Sequence, residues 1–518
     1  MYLSGAAFLL YNRERWRCTG PLNPSIIIGG IFILLKQLHI KRAWFSNTQS
    51  DILSGLTVAF ALIPEAIAFS ILAGVSPMVG LYASFTIAVV IAFAGGRPGM
   101  ISAATGAMAL LMGGLVRDHG IEYLFAATIL AGILQIIMGM LRLGKFISFL
   151  PHSVMTGFVN ALAILIFMAQ LTHFSGQGWM MYALVALTLA IIYLFPLITK
   201  AVPSALVAII AVSVLAISLR LDVKTVGDMG EMTASLPVFR IPDVAVSWEM
   251  LKTIFPVSLS LAFVGLLESL MTATLIDDIT NTSSSKNREM KGQGLANIVT
   301  GFFGGMAGCA MIGQSMVNMK SGGRTRLSTL VSGIGLLFLV IVLGDVVKQI
   351  PMAALVGVMF MVSIGTFDWS SLKSLPKIPL SDALIMAITV VAVVATDNLS
   401  IGVGIGVLLS ALVFAWKMAS IRISVSLEQG VKTYTVTGQM FFGTVSHFLN
   451  EFDPEGDPEH VTVDFAKSHV WDQSAVNAIS KLLHKYRLQG KNVTIVGLNE
   501  ESTRLVERIG LSTPAGHG

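Results

Sequence analysis

The sequence predicts a polytopic α-helical membrane protein of fourteen spans in a seven-plus-seven inverted repeat, followed by a small α/β domain. Three observations predict it. Hydrophobic residues make up 54% of the 518-residue chain and charged residues only 12%, where a soluble protein carries roughly 25% charge; the mean hydropathy is +0.78. Apolar blocks separated by short polar joints run from Ile52 to about Lys417, after which the composition is that of a soluble domain. Finally, the third, ninth and tenth blocks are short for a full span, and the third and tenth share one outline.

Residues 1–49 form an N-terminal extension. Arg13, Arg15 and Arg17 precede the apolar run SIIIGGIFILL. That run starts late for a signal peptide, lacks a small-residue cleavage site and is short for a span. It reads as an interfacial helix or as an extension from an upstream start codon.

The membrane domain covers 50–419, with spans at 52–73, 78–95, 101–116, 121–141, 150–172, 179–197, 202–219, 253–277, 291–304, 309–320, 326–345, 350–366, 380–396 and 400–418. The basic residues test this count. Joints on the side of the first span's N-terminus hold Arg97, Arg142, Lys145, Lys200, Lys286, Arg288, Lys291, Lys320, Arg324, Arg326, Lys373 and Lys377. The opposite joints hold Arg117, Arg220, Lys224, Arg240, Lys252 and Lys348, mostly within the long joint 220–252, where charge counts for less. The bias places both ends of the membrane domain on the cytoplasmic side.

Seven is odd, so the second copy of the repeat is inverted, as in many transporters. Spans 3 (RPGMISAATGAMALL) and 10 (GCAMIGQSMVNMKSGG) fall at the third position of each half. Each runs from glycine through a few extended-type residues into small and hydroxyl residues that open a helix. A helix that starts in mid-membrane leaves its first N–H groups without partners, at several kcal/mol per group in hydrocarbon. Its start also carries about half a unit of positive charge, so an anion is the natural ligand. Thr105, Gly106, Gln314 and Ser315 are the candidate donors, and Ala104, Gly106 and Gly313 let the ligand approach the backbone.

Two carboxylates lie inside spans that correspond in the two halves. Glu65 is in span 1 (ALIPEAIAFS), where Pro64 is expected to break the helix. Glu268 is in span 8 (FVGLLESLMTATLIDD), with Thr272 one turn later. An ionised carboxylate at the bilayer centre costs at least ~2.5–3.5 kcal/mol, which binding a proton or a cation avoids. Glu268 is therefore the candidate for coupling to H⁺ or Na⁺, and Glu65 either lines the site or caps backbone freed by Pro64. Phe69 is four residues on from Glu65 and walls the site, faces lipid or packs in the core. Asp277, Asp278, Asp345, Asp382 and Asp397 fit solvated span ends.

Residues 420–518 change period. KTYTVTGQMFF alternates like a half-buried strand, and HVTVDF and NVTIVGL read as short buried strands. SAVNAISKLLHKYRLQG places Val476, Ile479, Leu482, Leu483 and Tyr486 at helical spacing, ending at Gly490. This is a small α/β module. Much of the basic excess behind the net charge of +5 lies in the joints, and it does not suggest nucleic acid. Two cysteines, Cys18 and Cys309, give no disulfide framework or zinc spacing, and the histidines are scattered. With no nucleophile–base pair or phosphate loop, an enzyme and a resident cofactor or metal are not expected.

IPEAIAFSILAGVSPMVGLYASF, ATGAMALL, ESLMTATLIDDIT and GCAMIGQSMVNMKSGGRTRLST together resemble the sulfate-permease (SulP) family over residues 50–515. The resemblance implies a fold like that of uracil permeases, with spans 1–4 and 8–11 as a core moving against a gate of spans 5–7 and 12–14. It implies a homodimer and a substrate site between spans 3 and 10. By motif match, Glu65 and Phe69 line that site, Glu268 takes the span-8 acidic position, and Thr272 resembles a position linked to sodium. The sequence departs from the family where Glu65 stands for a common Gln and Gln314 for a common Arg. Both changes make the site less positive and point to cation-coupled uptake.

The terminal module resembles the STAS domain that follows SulP membrane domains. Its helix opening at WDQSAV matches the loop where anti-sigma-factor antagonists are phosphorylated, so Ser474 is either a regulatory phosphosite or a plain helix N-cap. The expected function is secondary active transport of a small inorganic anion, sulfate or bicarbonate, driven by H⁺ or Na⁺ in a bacterial-type inner membrane. The STAS domain is expected in the cytoplasm, with a possible partner there. The alternatives are a nucleobase permease of the same fold and a membrane-bound sensor signalling through the STAS domain.

Overall fold

Long apolar blocks fold as helices because only internal backbone hydrogen bonding is tolerated in hydrocarbon. The computed structural model describes residues 43–144, 151–199, 203–229, 235–396, 398–428 and 430–509. The reading of the apolar run before Lys36 and that of Asp397 lie outside the described residues. The chain divides into two compact units, one reaching Ile378 and including Met386–Ile405, the other comprising Pro379–Ile385 and the chain from Gly406 onward.

The helices of the predicted membrane region are α1 (Thr48–Leu72), α2 (Pro77–Ala94), α3 (Gly106–His119), α4 (Ile121–Met140), α5 (His152–Leu171), α6 (Trp179–Leu194) and α7 (Ser204–Ser218). The second set is α8 (Trp248–Thr280), α9 (Lys286–Phe302), α10 (Ile312–Lys320), α11 (Arg326–Lys348), α12 (Met352–Thr366), α13 (Leu380–Thr396) and α14 (Leu399–Met418). Among the described residues nine helices are long and apolar enough to cross a membrane, and α7 and α13 are shorter apolar helices. The remaining three, α3, α9 and α10, include both segments expected to be interrupted.

Helix α1 corrects one expectation: it runs unbroken through Pro64. The ring removes the N–H that would bond the Phe60 carbonyl, yet the surrounding residues Val58 to Ser70 are largely buried, and that packing holds the helical path. Elsewhere small residues allow close crossing. A Cβ on Gly132 of α4 would lie 2.4 Å from the Gly294 carbonyl of α9, and one on Gly294 would lie 2.5 Å from the Gly132 carbonyl.

Two joints are tied by buried carboxylates. Glu289 of α9 accepts from the N–H groups of Gly96 (2.7 Å) and Arg97 (3.1 Å) in the joint before segment 3. Asp51 of α1 accepts from the N–H groups of Arg324 (2.7 Å) and Thr325 (3.1 Å) in the joint after segment 10. Asp277 is a second correction. It is not a solvated end but the centre of a polar cluster, bonded by Arg97 and Lys286, each at 2.8 Å, and by Ser284. The long basic side chains fold back over the helix end and cover it.

The second unit carries a four-stranded sheet of order β3 (Ile421–Glu428), β4 (Val431–Met440), β5 (His460–Val470), β6 (Asn492–Val496). The first unit holds a separate two-stranded sheet of β1 (Ser102–Ala104) and β2 (Gly308–Ala310). The β3–β4 pair is antiparallel, and β4–β5 and β5–β6 are parallel. Helices α15 (Val445–Asn450), α16 (Gln473–Leu488) and α17 (Glu500–Ile509) complete the α/β module. Its core includes Tyr434, Phe448, Phe465, Val476, Ile479, Leu482 and Tyr486. Asp457 is buried among Lys432, Tyr434 and Tyr486, all three bonded to its carboxylate. Ser474 is not the N-cap of α16. That role belongs to Asp472, whose Oδ1 accepts from the Ala475 N–H at 2.9 Å while Oδ2 accepts from Phe442 at 2.8 Å. A carboxylate with extended backbone, two residues earlier, outcompetes the hydroxyl, and Ser474 is left exposed in the first turn.

Candidate functional site

The site begins with two strands of three residues each. Ser102–Ala104 (β1) pairs antiparallel with Gly308–Ala310 (β2), in the register Ser102 with Ala310, Ala103 with Cys309 and Ala104 with Gly308. Exposed strand edges at bilayer depth are costly unless protein satisfies them, and here buried polar side chains do so. Asn297 accepts from the Gly308 N–H (2.9 Å) and donates to its carbonyl (3.1 Å), and Gln293 donates to the same carbonyl. Ser269 takes the Ala310 N–H and Ser84 the Ala104 N–H. Gly308 is required by closeness: a Cβ there would lie 2.1 Å from the Ala103 carbonyl oxygen.

Each strand leads into a half-helix. Thr105 caps α3 from its Oγ1, and Met311 precedes α10 with no side-chain cap. Thr105 takes the Met108 N–H, while the N–H groups at Gly106 and Ala107 of α3 and at the start of α10 have no side-chain cap and lie at the positive ends of two helix dipoles. Those starts line a cavity of about 410 Å³. Gly106 and Ala107 contribute from α3, and Ile312, Gly313 and Gln314 from α10. Glu65 and Phe69 come from α1, Glu268 and Met271 from α8. The rest of the wall is largely apolar, with Phe158, Leu162 and Ile166 of α5 and Met361, Val362 and Thr366 of α12. Among the described residues the lining includes two carboxyl side chains and no Lys, Arg or His.

Two hydrogen bonds tie the carboxylates of the lining to neighbouring elements. Gln314 Nε2 donates to Glu65 Oε1 at 2.6 Å, joining α10 to α1. Cys309 Sγ donates to Glu268 Oε2 at 2.9 Å and lies 3.2 Å from Thr105 Oγ1. The thiol thus joins the α8 carboxylate to the cap of α3.

The structure gathers most of the candidates. Glu65, Phe69, Thr105, Gly106, Gly313, Gln314 and Glu268 all line the cavity. Ala104 is buried in β1, behind it. Ser315 is turned away, accepting from the Ile101 N–H at 3.0 Å and so fastening α10 to the approach to β1. Thr272 is fully buried, does not line the cavity and donates to the Glu268 carbonyl at 2.8 Å. Ser474 lies in the other unit. Sequence reasoning missed Cys309, which it weighed only for disulfides and zinc. Its place beside Gly308, in the extended lead of span 10, was the available signal. The α5 and α12 wall was missed too, since its side chains look like any apolar helix face.

Two interrupted segments from opposite halves, meeting at a polar hollow within a helical bundle, define a membrane transporter architecture. Residues 48–178 and 177–389 match the Sulfate permease family, residues 422–513 match the STAS domain, and the chain belongs to the sulfate permease family. It is 57% identical to a Bacillus subtilis protein named "Putative sulfate transporter YbaR" over 91% of this chain and 98% of that protein. It is 29% identical to the Bicarbonate transporter BicA of Picosynechococcus sp. over 91% of this chain and 92% of that one. Among solved structures, the transmembrane domain of a cyanobacterium bicarbonate transporter BicA aligns with a TM-score of 0.63 at 29% identity, covering 69% of this chain and 97% of that one. The murine Slc26a9 anion transporter in the inward-facing state shares the fold, with a TM-score of 0.80 at 17% identity over 97% of this chain and 94% of that one.

Proposed function

We propose that this protein is a secondary active transporter of a small inorganic anion, sulfate or bicarbonate, coupled to H⁺ or Na⁺. The observation that carries the reading is the cavity between the starts of α3 and α10, which offers unpaired N–H groups beside two carboxyl side chains. Each helix start supplies about half a positive charge. Together they balance about one negative charge, while Glu65 and Glu268 bring two when ionised. An anion enters such a site only with a proton or a cation. Coupling is therefore a requirement of the charge count rather than an added feature.

Glu268 is the coupling residue in this reading, and Glu65, Phe69, Thr105, Gly106, Gly313 and Gln314 hold the anion. The backbone of Ala104 and the hydroxyl of Ser315 set the half-helices. Where Na⁺ is the partner, the Thr272 hydroxyl oxygen, one turn from Glu268, keeps a lone pair for it. The core of spans 1–4 and 8–11 rocks against the gate of spans 5–7 and 12–14. The protein works as a homodimer in an inner membrane with the STAS domain in the cytoplasm, and phosphorylation at exposed Ser474 regulates it through a partner.

The test is uptake of labelled anions by purified protein in liposomes under imposed proton and sodium gradients. Accumulation of sulfate or bicarbonate under one gradient, dissipated by the matching ionophore, supports the proposal. A sensor would move nothing, and a nucleobase carrier would ignore both anions.

A further inference from the structure

We propose that Glu65 and Gln314 act as a paired acceptor that selects anions bearing their own hydroxyl. The occupant is then a monovalent hydrogen-oxyanion of the bicarbonate kind, not a dianion and not a monoanion lacking O–H. The inference rests on the transport reading above and names its substrate class.

The pair is defined by what it leaves unused. Gln314 Nε2 donates to Glu65 Oε1, and since a carboxyl oxygen accepts, this bond fixes which way the amide points. Glu65 Oε2 and Gln314 Oε1 remain, both buried and both without a hydrogen-bond partner, on residues that are 8% and 6% exposed and line the cavity. An amide oxygen only accepts, and so does Glu65 in its ionised form, the form that the bond donated by Gln314 favours. What these two atoms lack is a donor. Leaving buried acceptors unpaired is costly, which makes them a selective element when a ligand fits.

The helix starts that line the same cavity have the reverse character. The leading N–H groups at Gly106 and Gly313 are donors and take a negatively charged oxygen edge. A ligand that satisfies both sets carries a negative edge and one hydroxyl. Bicarbonate has both. Nitrate has the same planar shape and the same charge but no hydroxyl. Sulfate has no hydroxyl and a second charge, for which the described lining residues offer no Lys, Arg or His. A site built to bond a hydroxyl rejects the analogue lacking it strongly, because its own polar groups are then left unpaired.

The experiment is calorimetric titration of the full-length protein in nanodiscs with sodium bicarbonate, sodium nitrate and sodium sulfate at constant sodium concentration. It is run where bicarbonate is the main carbonate species. Bicarbonate is expected to bind at least about tenfold more tightly than nitrate, with sulfate weaker still. Gln314→Met, which keeps the length and removes the amide, is expected to bring the bicarbonate-to-nitrate ratio close to unity. Nitrate or sulfate binding as tightly as bicarbonate to the unmodified protein overturns the selection, as does an unchanged ratio in the variant. Should the variant not fold, the ratio in the unmodified protein decides alone. A monodisperse protein that binds none of the three overturns the transport reading and the inference with it, an outcome distinct from binding without discrimination.

Discussion

Glu268 and Cys309 show how much chemistry rests on single side chains. In the proposed mechanism, Glu268→Gln abolishes cation-driven accumulation in liposomes while the protein stays folded; gradient-driven uptake at the normal level in that variant would remove the coupling role. Cys309 donates to the same carboxylate and touches Thr105, so in the proposed mechanism it links the cation position to the anion position. Cys309→Ala strips a buried carboxylate of its donor and is expected to lower cation-driven uptake roughly tenfold, whereas Cys309→Ser keeps a donor and most of the rate. Equal uptake by the two variants would show that the thiol only fills space. Glu65, Gln314 and Glu268 were legible because charged and amide side chains are rare inside spans. The 2.6 Å contact between Glu65 and Gln314 was not, since it joins residues far apart in sequence.

The decisive elements are β1 and β2, where backbone from the two halves pairs. Their approach leaves no room at Gly308, and Gly308→Val drives a branched side chain into the Ala103 carbonyl. This substitution is expected to cost at least ~1–3 kcal/mol, read as a lower melting temperature and loss of monodisperse protein in size-exclusion chromatography. A variant melting with the unmodified protein would mean the strands separate without penalty. The sequence announced that segments 3 and 10 were short, and therefore that each had a helix start inside the membrane. It did not announce what satisfies the strand edges, because Asn297, Gln293 and Ser269 are ordinary polar residues until the fold places them. The unbroken path of α1 through Pro64 was illegible for a related reason: local propensity is overridden by packing that only the finished bundle supplies.

At the scale of the whole chain, the period change near Ser424 made the second unit visible, while its buried polar centre was hidden. Bonded by Asp457, the Lys432 ammonium is pushed up to about 12 from an ordinary 10.5. Burial acts to raise the Asp457 carboxyl, but bonds from Lys432, Tyr486 and Tyr434 outweigh it and hold the group below its ordinary 3.8. A lowered acid stabilises the fold above its unfolded pKa and loses that effect as pH falls through the folded value. A raised base stabilises below 10.5 and loses the effect as pH rises toward about 12. Asp457→Asn is thus expected to destabilise the domain by roughly 3 kcal/mol, with a melting-temperature deficit that is flat from mildly acidic pH to about 10 and narrows in strong acid. A deficit unchanged by acid would locate the effect in packing. Ser474 adds a separate prediction: a Ser474 peptide from cells whose mass is unaltered by phosphatase treatment would remove its regulatory role.

The paired joints held by Glu289 and Asp51 carry a consequence for biogenesis. Each carboxylate sits in one half of the chain and clasps a turn made by the other. Neither half is complete alone: while the ribosome is still extending the nascent chain, α1 and the turn at Gly96 stand in the bilayer with their partners not yet made. Expressed as two fragments cut in the long joint near residue 235, the halves are expected to survive proteolysis only when co-expressed, like two interlocked hands rather than two neighbouring domains.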